Sequence, residues 1–75
     1  MTLTRAMLMK YHLSKRELQC LRLSIRGKSA RQAAVEIGIS QRTVEEYLNN
    51  IKRKMGVKTK AEMIDAGLRI MNILG

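Results

Sequence analysis

Ala33-Ala34-Val35-Glu36-Ile37-Gly38-Ile39-Ser40-Gln41-Arg42-Thr43-Val44 is the stretch on which the fold of this 75-residue chain turns. Gly38 tolerates the positive φ that a tight turn demands, Ile39 plugs the space between two helices, and Ser40 supplies a hydroxyl to cap the helix that follows. The small side chains of Ala33 and Ala34 allow two helices to cross closely. The spacing Ala34, Gly38, Val44 therefore predicts a helix-turn-helix.

Downstream, the pattern predicts a helix over 41–55. At 100° per residue, Val44, Leu48, Ile51 and Met55 fall in one narrow apolar stripe facing a core. Arg42, Glu46, Asn49 and Arg53 lie opposite; Glu45 and Lys52 take one flank, and Thr43, Asn50 and Lys54 the other. Gly56 ends this helix. Thr59, followed three residues later by Glu62, forms a capping box that opens a further helix over 60–74. That helix carries two apolar stripes. Ile64, Leu68 and Met71 are assigned to the core, and Met63, Ala66, Gly67, Ile70 and Ile73 form a surplus stripe expected to pair two copies of the chain.

Upstream, Ser29 caps a short helix over 29–37, and Ser14 with Glu17 forms a capping box that starts a helix over 14–26, stopped by Gly27. Glu17 is thus assigned to a cap or a buried-edge ion pair. Residues 1–12 precede the first strong start signal and read as a tail or linker, to which Met7, Leu8 and Tyr11 can add a helical turn. Residues 13–75 form the expected domain.

Fifteen Lys and Arg against six Asp and Glu give a formal charge of +9. Such an excess favours a polyanionic partner, nucleic acid before an anionic membrane. Pro, Phe and Trp are absent and there are two tyrosines, which favours an all-helical fold and disfavours recognition of single strands by base stacking. The lone Cys20 has no partner for a disulfide or a zinc site. With one histidine, no carboxylate pair on a pocket-like face, no glycine-rich phosphate loop and no metal-ligand cluster, the sequence predicts neither catalysis nor a cofactor. No apolar run is long enough to span a membrane, so the expected location is the cytoplasm, on the nucleoid.

Leu13-Ser14 with Arg16-Glu17, Gly27 before Ser29, Ile39-Ser40 with Thr43-Val44, then Leu48, Asn50-Ile51, Lys54-Met55-Gly56-Val57 and Lys60 fall in one register. From Leu13 to about Leu68 the chain resembles the LuxR-type (GerE-like) helix-turn-helix domain of bacterial regulators. The resemblance implies four helices in a winged-helix-type superfold without a wing, the third in the major groove and the fourth often pairing two domains on a two-fold symmetric site. Glu45 and Tyr47 stand where the family commonly has a basic residue and a histidine. Ala30-Arg31-Gln32-Ala33 replaces its usual Asn-Lys-Glu-Ile run, and Ser24 is polar where an apolar residue is common.

For a helix in the major groove, Arg42, Glu45, Glu46 and Asn49 are the expected base contacts. Arginine matches guanine O6 and N7, glutamate accepts from cytosine N4, and asparagine pairs with adenine. A solvated face is the alternative, with Arg42 and Glu46 paired to each other four residues apart. Lys52, Arg53, Lys54 and Lys58 at one end, Lys28, Ser29 and Arg31 at the other, and Gln41, Thr43, Tyr47 and Asn50 between them are the expected phosphate contacts. The expected partners are double-stranded DNA and a second copy of the chain on it. Two other readings stay open: a promoter binder like region four of a sigma factor, acting with RNA polymerase, and a protein-interaction module that traps a related regulator. The chain is read either as a free-standing regulator or as the effector domain of a longer one.

Overall fold

The structure, a computed structural model, describes residues 10–74, with side chains through residue 69. Lys10 and Tyr11 are helical, Met7 and Leu8 lie outside the described residues and Met71 outside the described side chains, and from Lys15 onward four helices follow in order: α1 Lys15–Ile25, α2 Ala30–Ile37, α3 Gln41–Met55 and α4 Lys60–Leu74. No strand occurs among the described residues, so the all-α, four-helix expectation holds.

Each helix begins where a hydroxyl satisfies an otherwise orphaned backbone donor. Ser14 Oγ accepts from the Glu17 N–H at 3.1 Å, and Glu17 Oε1 accepts from the Ser14 N–H at 2.8 Å. Thr59 and Glu62 repeat this reciprocal arrangement at the start of α4. So do Ser29 and Gln32 at the start of α2, a capping box not anticipated although the Ser-x-x-Gln spacing carries its signature. Ser40 caps α3 by accepting from the Thr43 N–H at 3.0 Å. Each such cap stabilises its helix by about 1 kcal/mol.

Three helices also close alike at their C-termini. The N–H groups of Lys28, Ile39 and Val57 each return 3.0 Å to the carbonyl five residues back, on Leu23, Ala34 and Lys52. The chain makes that return after α2 only because Gly38 sits at φ 83°, where a Cβ carries a penalty of about 1–2 kcal/mol. The turn delivers Ile39 onto the core.

Leu21, Ile51, Met63, Val44 and Cys20 are fully buried at the centre. Leu13, Leu18, Leu23, Ala33, Ala34 and Leu48 surround them, with Tyr11 and Ile25 partly buried against the cluster. The helix α3 packs on both α1 and α2, using the Val44, Leu48, Ile51 stripe read from its periodicity.

The helix α4 is rolled relative to expectation. Met63 is fully buried and Gly67 is buried too, whereas Leu68 is 40% exposed. A Cβ on Gly67 would lie 2.9 Å from Ile25 Cδ1 and 3.7 Å from Leu21 Cδ1. At Gly67 α4 thus packs directly against α1 side chains, and the helix turns its smallest residue inward. Met63 and Gly67 are consequently withdrawn from the expected pairing surface, and Leu68 is moved from the core to the outside. Ala66 is half-buried; Ile70 and Ile73 lie outside the described side chains.

Candidate nucleic-acid interface

One side of α3 is clamped in the core, so its other side is presented to solvent along the helix. Arg42, Glu45, Glu46 and Asn49, the expected base contacts, are all exposed on it. They are not bare. Arg42 Nε lies 4.0 Å from Glu46 Oε2, with side chains 89% and 65% exposed. Gln41 Nε2 donates to Glu45 Oε2 at 3.2 Å. Pairs this exposed contribute a few tenths of a kcal/mol and yield readily to a ligand. They present two donors and two carboxylates on successive turns, a set able to address both members of a G·C pair.

The first turn of α3 holds no acidic residue, so the positive end of its dipole is not neutralised there. Ser40 Oγ and Thr43 Oγ1 share a 2.7 Å hydrogen bond at this end. Lys52, Arg53 and Lys54 occupy the last turn, where cations also favour the helix dipole directly. Arg53 Nη2 donates to Asn50 Oδ1. Tyr47 is half-buried and rests its ring against the core.

Lys54 departs from its expected role. Its ammonium donates to Glu17 Oε1 at 2.6 Å and to the His12 carbonyl at 3.0 Å. Glu17 is 5% exposed at its side chain, and Lys54 is 38% exposed. Burial pushes the Glu17 carboxyl up, but the Lys54 hydrogen bond, the Ser14 N–H, the Lys54 charge and the Ser14 hydroxyl together hold it below the usual carboxylate range. A carboxylate kept ionised there needs Lys54 where it is, so we remove Lys54 from the phosphate contacts and assign it to joining the end of α3 to the start of α1. His12, at φ 55°, adopts a left-handed conformation that offers its carbonyl to the same ammonium.

Lys28, Ser29 and Arg31 are exposed around the start of α2, with the Ser29 hydroxyl occupied in its cap. Lys60, which the sequence pattern did not mark as a contact, reaches from α4 to the Lys28 carbonyl at 3.3 Å. It sets a second ammonium beside Lys28, a placement that depends on residues 32 apart in sequence and is therefore invisible to local patterns. Lys58 is exposed on the α3–α4 turn. Among the described residues no three His, Cys, Asp or Glu side chains gather as a metal site, and no helix is long and apolar enough to cross a membrane.

A capped, outward-facing α3 set across α2 by a tight glycine turn defines a helix-turn-helix domain. Residues 11–66 match the GerE model, described as bacterial regulatory proteins of the luxR family, and the chain belongs to that family. It is 41% identical over 58 residues to the HTH-type transcriptional activator RamA of Corynebacterium glutamicum, a match covering 77% of this chain and 21% of RamA. It is 39% identical over 62 residues to the response regulator protein TodT of Pseudomonas putida, covering 83% of this chain and 27% of TodT. The oxygen regulatory protein NreC of Staphylococcus aureus is 37% identical over 57 residues, covering 76% of this chain and 26% of NreC. The chain thus spans about a quarter of the length of these relatives.

Proposed function

We propose that this chain binds double-stranded DNA sequence-specifically in transcriptional regulation, with α3 in the major groove. The observation that supports this most is the exposed row Arg42, Glu45, Glu46 and Asn49 on a helix whose opposite stripe is locked in the core. A side chain reads a base edge only if the backbone carrying it does not move, and three buried anchors on α3 hold it. Lys28, Arg31 and Lys60 on one side, and Lys52, Arg53 and Lys58 on the other, then meet the phosphates, with Gln41, Thr43, Tyr47 and Asn50 as polar contacts between them. Ser29 presents the start of α2 to the backbone.

Two copies pair on a two-fold symmetric site through the outer side of α4, with Leu68 and Ala66 near its centre. A single domain of this size makes too few specific contacts to select one genomic site, and pairing doubles the sequence read. An integral α4, with Met63 in the core, favours the regulator over a sigma-type promoter binder.

Fluorescence anisotropy on random and selected duplexes across a salt series, with sedimentation in parallel, tests the reading. Six neutralised phosphates give a slope of log affinity against log salt of about −5, and selection yields an inverted repeat. Absence of binding to any duplex at low salt overturns it.

A further inference from the structure

On the far side of α1 from α3 lies a feature that the DNA reading does not use. Lys15, Leu18, Gln19, Arg22, Leu23 and Arg26 of α1, with Glu36 of α2, line an open groove of about 600 Å³. On a helical wheel Lys15, Gln19, Arg22 and Arg26 fall about 140–200° from Glu17, the residue that holds α3 through Lys54. This row therefore points away from α3. Its three cations form no ion pair with any described residue. Leu18 and Leu23, almost wholly buried in the core, close its base. Across Glu36 the surface continues to Val35, which at 80% exposure is the most exposed large hydrophobic side chain among the described residues.

We propose that this surface docks an acidic, leucine-bearing helical segment of another protein. Three unpaired cations facing a single carboxylate select for acidic side chains. The row from Lys15 to Arg26 extends about 16 Å along α1, equal to some three turns of a partner helix. Val35 has nothing to gain from a sugar–phosphate backbone, whereas an amphipathic helix lays an apolar side chain against it. The row on α1 points away from α3 and stays uncovered when α3 holds DNA, although Arg31, beside Val35, borders the phosphate contacts; the argument rests on the function proposed above. Occupation of the groove and of α3 is thus compatible, so that a DNA-bound domain is able to recruit the partner.

The test uses the whole chain, labelled with nitrogen-15, and two synthetic peptides of equal length and charge: one with Glu and Leu on opposite faces of a helix, the other all Glu and Gly. Saturable binding of the first, shifting the amides of α1 and of Val35 and Glu36, is expected both with and without duplex DNA. Arg22→Gln with Arg26→Gln weakens it roughly tenfold, Val35→Asn weakens it further, and far-UV circular dichroism stays unchanged. Absence of binding, equal binding of the Glu–Gly peptide, or displacement by duplex with shifts centred on α3 overturns the proposal. Peptide binding in the groove without any duplex binding leaves the docking surface standing and removes the DNA reading.

Discussion

Lys54 and Glu17, 37 residues apart in the chain, meet at 2.6 Å, and through them the last turn of α3 is fastened to the first turn of α1. Glu17 at once closes the cap of α1 with Ser14 and receives this ammonium. One carboxylate therefore serves both the local helix start and the placement of the helix that faces outward.

Lys54→Ala leaves Glu17 nearly buried without its cation, and an expected loss of about 1–3 kcal/mol follows from an under-compensated charge. Urea unfolding followed by circular dichroism reads it. Glu17→Gln, which keeps an acceptor for the Ser14 N–H, is expected to lose less than Glu17→Ala; equal losses would show that the cap contributes nothing.

Because the Glu17 pKa lies below its unfolded value, its contribution to stability is fully present above the ordinary glutamate pKa of about 4.3 and disappears as pH falls through the lower folded value. Glu62, lowered by the Thr59 and Lys58 N–H groups and the Thr59 hydroxyl, acts in the same direction. The urea midpoint is expected to drop on acidification below about pH 5. In Glu17→Gln that drop is shallower, and an unchanged profile would remove Glu17 from the explanation.

The roll of α4 separates two substitutions. Gly67→Val drives a branched side chain into Ile25 and costs about 1–3 kcal/mol in thermal or urea unfolding. Leu68→Ala, at an exposed position, leaves monomer stability within about 0.5 kcal/mol and instead weakens self-association in sedimentation. The reverse pattern would restore the stripe assignment made from periodicity.

On a selected duplex, Arg42→Ala or Asn49→Ala is expected to lose about 1–3 kcal/mol of discrimination, roughly 5- to 150-fold, with random duplex nearly unaffected. Arg53→Ala and Lys58→Ala weaken both duplexes alike and shallow the salt slope by about 1 each. Competition anisotropy distinguishes the two classes, and uniform losses throughout would reduce α3 to a generic basic surface.

Local chemistry made most of this fold legible. Ser14 with Glu17 and Thr59 with Glu62 announce helix starts three residues apart, and Val44, Leu48 and Ile51 mark the buried side of α3 because a polar surround leaves one orientation. On α4 the same reasoning misplaced Met63, Gly67 and Leu68. Both sides of that helix are apolar, so hydropathy does not choose between them, and the choice falls to the steric fit of Gly67 against Ile25. The partner of Glu17 and the position of Lys60 beside Lys28 were hidden for another reason: each is a contact across more than 30 residues, set by packing and not by spacing. Arg42, Glu45, Glu46 and Asn49 were found as a row because exposure follows from periodicity once the buried stripe is known.

The turn at Gly38 and the three anchors on α3 leave Arg42, Glu45, Glu46 and Asn49 with no structural duty beyond the weak Arg42–Glu46 and Gln41–Glu45 pairs. The domain is in that sense a chassis with an interchangeable faceplate. Under the proposed function its outer residues can be rewritten, by evolution or in the laboratory, for a different operator while the helices beneath them go on folding unchanged.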